Sequence, residues 1–99
     1  MNNKRRNEIE KMKADLATIK VATELLAGRV QDAKDALEAI KDAEQDAYDN
    51  MPEGLQQGDR GQACEVAVSA LENVVGTLET FGDALTDLDV EGDLDEATA

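Results

Sequence analysis

Apolar residues recur along this chain at alternating steps of three and four, in two runs parted by one proline-containing turn. The first run is Ile9, Met12, Leu16, Ile19, Thr23, Leu26, Val30, Ala33, Leu37, Ile40, Glu44, Ala47 and Met51. The second is Cys64, Ala67, Leu71, Val74, Leu78, Phe81, Leu85 and Leu88. This spacing lines side chains along one stripe of a helix and is the seam of a coiled coil. The expected fold class is therefore all-α. It is an antiparallel helical hairpin of two long helices that dimerises into a coiled coil or four-helix bundle.

The punctuation agrees. Helix 1 is expected over about residues 3–49, starting near Asn3 or Asn7, with Asn7 and Glu10 in capping-box spacing. Pro52 ends it, because the residue before a proline is pushed out of the helical region. Residues 50–59 read as a turn on which Leu55, with Met51, can fold back as an apolar plug. Asp59 is the expected cap of helix 2, with Gln62 as its reciprocal partner. Helix 2 is expected over about 60–89, and residues 90–99 as a frayed acidic tail. The 99 residues make one domain.

Folded at the turn, the two runs register in eight layers: Ala47 with Cys64, Glu44 with Ala67, Ile40 with Leu71, Leu37 with Val74, Ala33 with Leu78, Val30 with Phe81, Leu26 with Leu85, and Thr23 with Leu88. Continued further, Ile19 meets Gly92 and Leu16 meets Asp95, neither of them an apolar partner. Ile9, Met12, Leu16 and Ile19 are thus left bare, as a candidate oligomerisation surface. Val68 and Val75, beside the seam on helix 2, with Val21 and Leu25 on helix 1, widen the stripe beyond what two strands need. Gly28, Gly76 and Gly82 are either weak points in their helices or sites of close helix approach.

Charge is uneven. Lys4, Arg5, Arg6, Lys11, Lys13 and Lys20 outnumber Glu8, Glu10 and Asp15, leaving the first 20 residues at +3 within a chain of net charge −13. The acidic remainder repels nucleic acid and anionic membrane and attracts basic protein surfaces. Basic residues open helix 1 and Asp83, Asp87 and Asp89 close helix 2, each the reverse of what the helix dipole favours. In an antiparallel hairpin these ends lie on the same side, and acidic tail on basic arm, within a dimer, is the simplest compensation; an external anion on the arm is the other.

Little of the sequence suits catalysis. No histidine is present, which excludes histidine triads and histidine-bearing zinc sites. No glycine-rich phosphate loop occurs. Cys64, on a seam position, reads as a small buried side chain. The segment Asp87-Leu88-Asp89-Val90-Glu91-Gly92-Asp93-Leu94-Asp95 partly matches a calcium loop but has Thr98 where the bidentate Glu is needed. The expectation is a non-enzyme with no cofactor and no metal. One cysteine, no apolar span and no secretory h-region suggest a cytoplasmic location.

The candidate partner-binding feature is an acidic stripe on helix 1: Asp32, Asp35, Glu38, Asp42, Asp46 and Asp49. Steps of three or four residues space these charges about 5–6 Å apart, comparable to phosphates along a nucleic-acid strand. The two readings are a nucleic-acid mimic and a solvated outer face.

The turn Asp49-Asn50-Met51-Pro52-Glu53-Gly54-Leu55-Gln56, with Gln45 to Tyr48 before it and Arg60-Gly61 and Ala70-Leu71-Glu72 after it, resembles a turn recurrent in small acidic helical proteins of bacteriophages and other mobile elements. The resemblance covers about residues 45–72, and its specific part is the D-N-x-P-x-x-L-Q pattern. It implies a helical hairpin of mobile-element origin, acting in a host cytoplasm, and carries over no catalytic or binding residue. With the charge, it points to a phage-type binding protein that occupies a basic nucleic-acid-binding surface, such as an anti-CRISPR or other anti-defence inhibitor. The competing class is an assembly adaptor docking a larger protein through the bare seam. Expected partners are a second copy of the chain and a basic protein surface, with no direct nucleic acid and no membrane.

Overall fold

The computed structural model describes residues 2–87 and 90–99. Among the described residues all regular structure is helical: α1 (Asn3–Asp49), α2 (Glu53–Gln56), α3 (Asp59–Thr86) and α4 (Glu91–Thr98). The molecule is a rod measuring 76 × 17 × 15 Å. No helix is long and apolar enough to cross a membrane among the residues described. α1 and α3 pack along each other in opposite directions, and α4 continues the second arm along the start of α1.

The caps differ from expectation. Asn2, not Asn7, caps α1: its Oδ1 accepts from the Arg5 N–H at 2.9 Å, satisfying one of the orphan donors of the first turn. Gly58, not Asp59, caps α3, and Asp59 lies inside the first turn without a side-chain cap bond. There its carboxylate still faces the positive end of the helix dipole. Leu55 is not a plug; it is exposed. Gln56 closes the turn instead, donating from Nε2 to the Tyr48 carbonyl at 2.8 Å and so satisfying one of the last carbonyls of α1. Gly61 is buried against the Gln56 backbone, and a Cβ there would collide with it. Only glycine lets α2 lie so close across the start of α3.

The seam is rotated from its expected position. Let Thr23, Val30, Leu37 and Glu44 on α1, and Cys64, Leu71, Leu78 and Leu85 on α3, be heptad position a. The periodicity then predicts a seam of a and d residues. The buried stripe is instead a and e. On α1 the e residues are Ala27, Lys34, Lys41 and Tyr48; on α3 they are Val68, Val75 and Gly82. All are half-buried except Val75, which is buried. Val30, Gly61, Cys64 and Val75 are the buried residues among those described. The predicted d residues Leu26, Ile40, Val74 and Phe81 are exposed. Hence Val30 does not face Phe81: a Cβ on Gly82 would lie 3.6 Å from Val30 Cγ1. Nor can Leu37 face Val74, which points away. Leu88, expected opposite Thr23, lies outside the described residues. The rotation has a physical reason on each helix. Val68 and Val75 give α3 an apolar row on the e side of a as well as on the d side. On α1 the stems of Lys34 and Lys41 cover the seam while their ammonium groups stay near water.

The acidic tail is not frayed. Residues 91–98 form α4, which packs on α1. Val90, Leu94 and Thr98 recur at steps of four and are half-buried, so one turn-to-turn row faces α1. With residues 91–98 helical, the partial calcium motif is not a loop from its fifth position onward; Asp89 of that motif lies outside the described residues. No acidic or thiol cluster suited to a metal is found among the described residues.

Candidate functional site: an acidic outer face and an unpaired apolar row

The four candidate oligomerisation residues separate into two pairs. Ile9 and Leu16 are half-buried on the a/e face along which α4 lies, while Met12 and Ile19 stay exposed in the d row. The bare seam expected from the sequence is thus half covered by the tail. Lys13 holds the tail in place. Its Nζ lies 2.6 Å from Asp95 Oδ1, 3.4 Å from Glu10 Oε1 and 3.4 Å from Thr98 Oγ1. The hydrogen bond to Asp95 raises the Lys13 pKa, partial desolvation opposes that, and Glu10 adds to it. The compensation of basic arm by acidic tail therefore occurs within one chain at Lys13. Lys4, Arg5 and Arg6 remain exposed.

The d row does not end with Met12 and Ile19. It continues on α1 through Leu26 and Ile40, and on α3 through Val74 and Phe81. These six large side chains are 43% to 55% exposed. Helical geometry puts both rows on one side of the hairpin. Seen from its own N-terminus, each helix carries d about 80° anticlockwise of the a/e seam, at ~100° per residue. Because α1 and α3 run in opposite directions, those rotations mirror each other across the seam, and both d rows open onto the same face. Val21 and Leu25, one turn apart on the outer side of α1, and Val66 on α3 are also exposed; they lie on other faces, so Val21 and Leu25 do not widen the stripe as expected.

The acidic stripe follows the far side of α1. Asp32, Asp35, Asp42, Asp46 and Asp49 are exposed and Glu38 is half-buried. Asp35 accepts from Gln31 at 2.8 Å and Asp49 from Gln45 at 3.0 Å, in each case one turn away on the same helix. Among the described residues the one ion pair that reaches the stripe is Lys41 with Asp42, at 3.9 Å. The carboxylates therefore stand in a row with little internal neutralisation. The side chains of the stripe do not line the exposed apolar face.

Two shallow grooves flank the seam on the side opposite the d rows. One, of about 160 Å³, is lined by Val30, Lys34, Leu78 and Asp83 among others. The other, of about 310 Å³, includes Tyr48, Cys64 and Glu65. Tyr48 donates its hydroxyl proton to Glu65 Oε1 at 2.7 Å, which raises the phenol's pKa above its ordinary 10.0. Hydrogen bonding to the Glu44 carboxylate and burial push the Cys64 thiol up, so it is a weak nucleophile at neutral pH. Glu44, a polar ladder residue, thus has its carboxylate beside that thiol across the seam. Thr23, the other, bonds within its own helix, donating to the Lys20 carbonyl at 2.8 Å. The Tyr48–Glu65 and Gln56–Tyr48 contacts were not legible in the sequence, because both depend on the rotated seam and the short α2.

Compared with protein-family models, curated proteins and solved structures, the chain matches none.

Proposed function

We propose that this chain is a non-enzymatic binding protein whose acidic outer face occupies a basic protein surface of the kind that holds nucleic acid. The row of solvent-facing carboxylates on α1 supports this reading. It runs from Asp32 to Asp49 on one continuous helix, so its charges are held at regular spacing. In a chain of net charge −13 the surrounding field reinforces rather than cancels it. Together with the mobile-element origin that the turn resemblance implies, an anti-defence inhibitor is the concrete form of the proposal. The test is to replace Asp35, Asp42 and Asp46 with Lys. Wild-type protein displaces DNA or RNA from a basic target captured from host lysate, and the triple reversal does not. Equal displacement by both refutes the reading.

A second reading is favoured by the exposed d rows: an adaptor that docks a larger protein through apolar contact. Ionic strength separates the two. Charge-led binding weakens steeply with added salt, whereas docking on the d rows does not.

A further inference from the structure

We infer that the exposed apolar face is covered by a second copy of this chain, stacked face to face and running in the opposite direction. The inference goes beyond the proposed use of the acidic face and does not depend on it.

The area is right. From Met12 to Ile40 the α1 row is about 42 Å long at ~1.5 Å per residue. Across the hairpin's 17 Å width, a copy laid along this row would have a footprint of about 700 Å², close to the ~800 Å² per partner of a standard stable interface.

The direction follows from what each row would meet. Stacked antiparallel about an axis near Leu26 and Ala33, α1 lies on α1 of the second copy. Met12 then faces Ala47, Ile19 faces Ile40, and Leu26 faces Ala33, so every large α1 residue has an apolar opposite and large meets small at two of the layers. Stacked parallel, α1 lies on the second arm of the other copy, and Met12 and Ile19 fall over its short α4, whose half-buried row Val90, Leu94 and Thr98 is turned toward its own α1 and not toward them. Charge selects the same direction. The antiparallel stack sets Lys4, Arg5 and Arg6 over the acidic tip of the other copy, near its Glu53, and keeps the two tips apart. The parallel stack brings both acidic tips together.

The experiment uses the full chain in a Cys64→Ser background. Sedimentation should give a dimer at micromolar concentration. Ile19→Asp with Ile40→Asp should weaken it at least 100-fold with helix content unchanged, while Val66→Asp, on another face, should not. Two single-cysteine variants, Ile19→Cys and Ile40→Cys, should form a mixed disulfide when combined. The two positions are about 30 Å apart on one helix, so that bond reports only the antiparallel stack. Mixing Ile40→Cys with Val74→Cys tests the parallel one. A monomer at high concentration, or a dimer that yields the second disulfide and not the first, overturns the inference. If the triple aspartate reversal loses its target while the dimer persists, the acidic face and the dimer face are separate functions. A dimer whose protein displaces no nucleic acid leaves this inference standing and removes the proposed function alone.

Discussion

Lys13 Nζ and Asp95 Oδ1 lie 2.6 Å apart, 82 residues distant in sequence, and tie the last helix of the chain to the first. An eight-residue helix is marginal in water by itself, so α4 should depend on its packing against α1 and on this contact. Asp95→Asn should loosen it, speeding amide exchange across residues 94–98 while leaving α3 protected. The pair also sets a pH limit. Lys13 has a folded pKa above its ordinary 10.5, so its contribution is fully present below that value and is lost as pH rises through the folded pKa. Methyl signals of Leu94 and Thr98, followed from about pH 9 upward, should shift in that window. In Asp95→Asn the step should move down toward the ordinary lysine value.

Tyr48 gives an independent optical readout, since the chain has one tyrosine and no tryptophan. Its phenol should ionise above pH 10.0, because the Glu65 carboxylate accepts its proton's hydrogen bond and repels the phenolate. The stabilising contact is present below 10.0 and disappears as pH climbs past the folded value. Phenolate absorbance should therefore titrate late in the wild type and closer to 10.0 in Glu65→Gln. An identical midpoint in both would mean the Tyr48–Glu65 bond does not form in solution.

The glycines should behave oppositely. Gly28 and Gly76 have open space where a Cβ would stand, so Gly28→Ala and Gly76→Ala should each stabilise by about 1 kcal/mol through helix propensity alone. Gly61→Ala should destabilise by about 1–3 kcal/mol or more, because the methyl group meets the Gln56 backbone rather than a side chain that can move aside. Chemical denaturation measures all three.

Two adjacent valines locate the true seam. Val75 is 9% exposed and Val74 is 45% exposed. Val75→Ala should cost about 2 kcal/mol of unfolding free energy, at any protein concentration. The cost of Val74→Ala should shrink on dilution, where a chain no longer has a partner on its d face. Cysteines at Val30 and Gly82, with Cys64→Ser, should join within one chain, as the a/e seam requires.

The period of three and four along both arms, the proline-bearing turn and the uneven charge were enough to determine an all-α, elongated chain and to locate its acidic stripe. Those features are local: each follows from which residue types recur at helical spacing. The choice between an a/d and an a/e seam was not local. Val68 and Val75 match Val74 and Phe81 in apolar character, so the stripe on α3 is too wide to say which half faces inward. The seam was decided by Gly82 fitting against Val30 and by Lys34 and Lys41 laying their stems along it. The fate of Ile9, Met12, Leu16 and Ile19 likewise waited on tertiary structure. Layer-by-layer pairing put Gly92 and Asp95 beside them, but α4 packs through Val90, Leu94 and Thr98, covering Ile9 and Leu16 and leaving Met12 and Ile19 in a row that runs on into Leu26, Ile40, Val74 and Phe81. Periodicity states that a helix has an apolar stripe. Which part of a wide stripe is buried depends on the rotation of two helices about their axes, and that is decided by side chains competing for one seam.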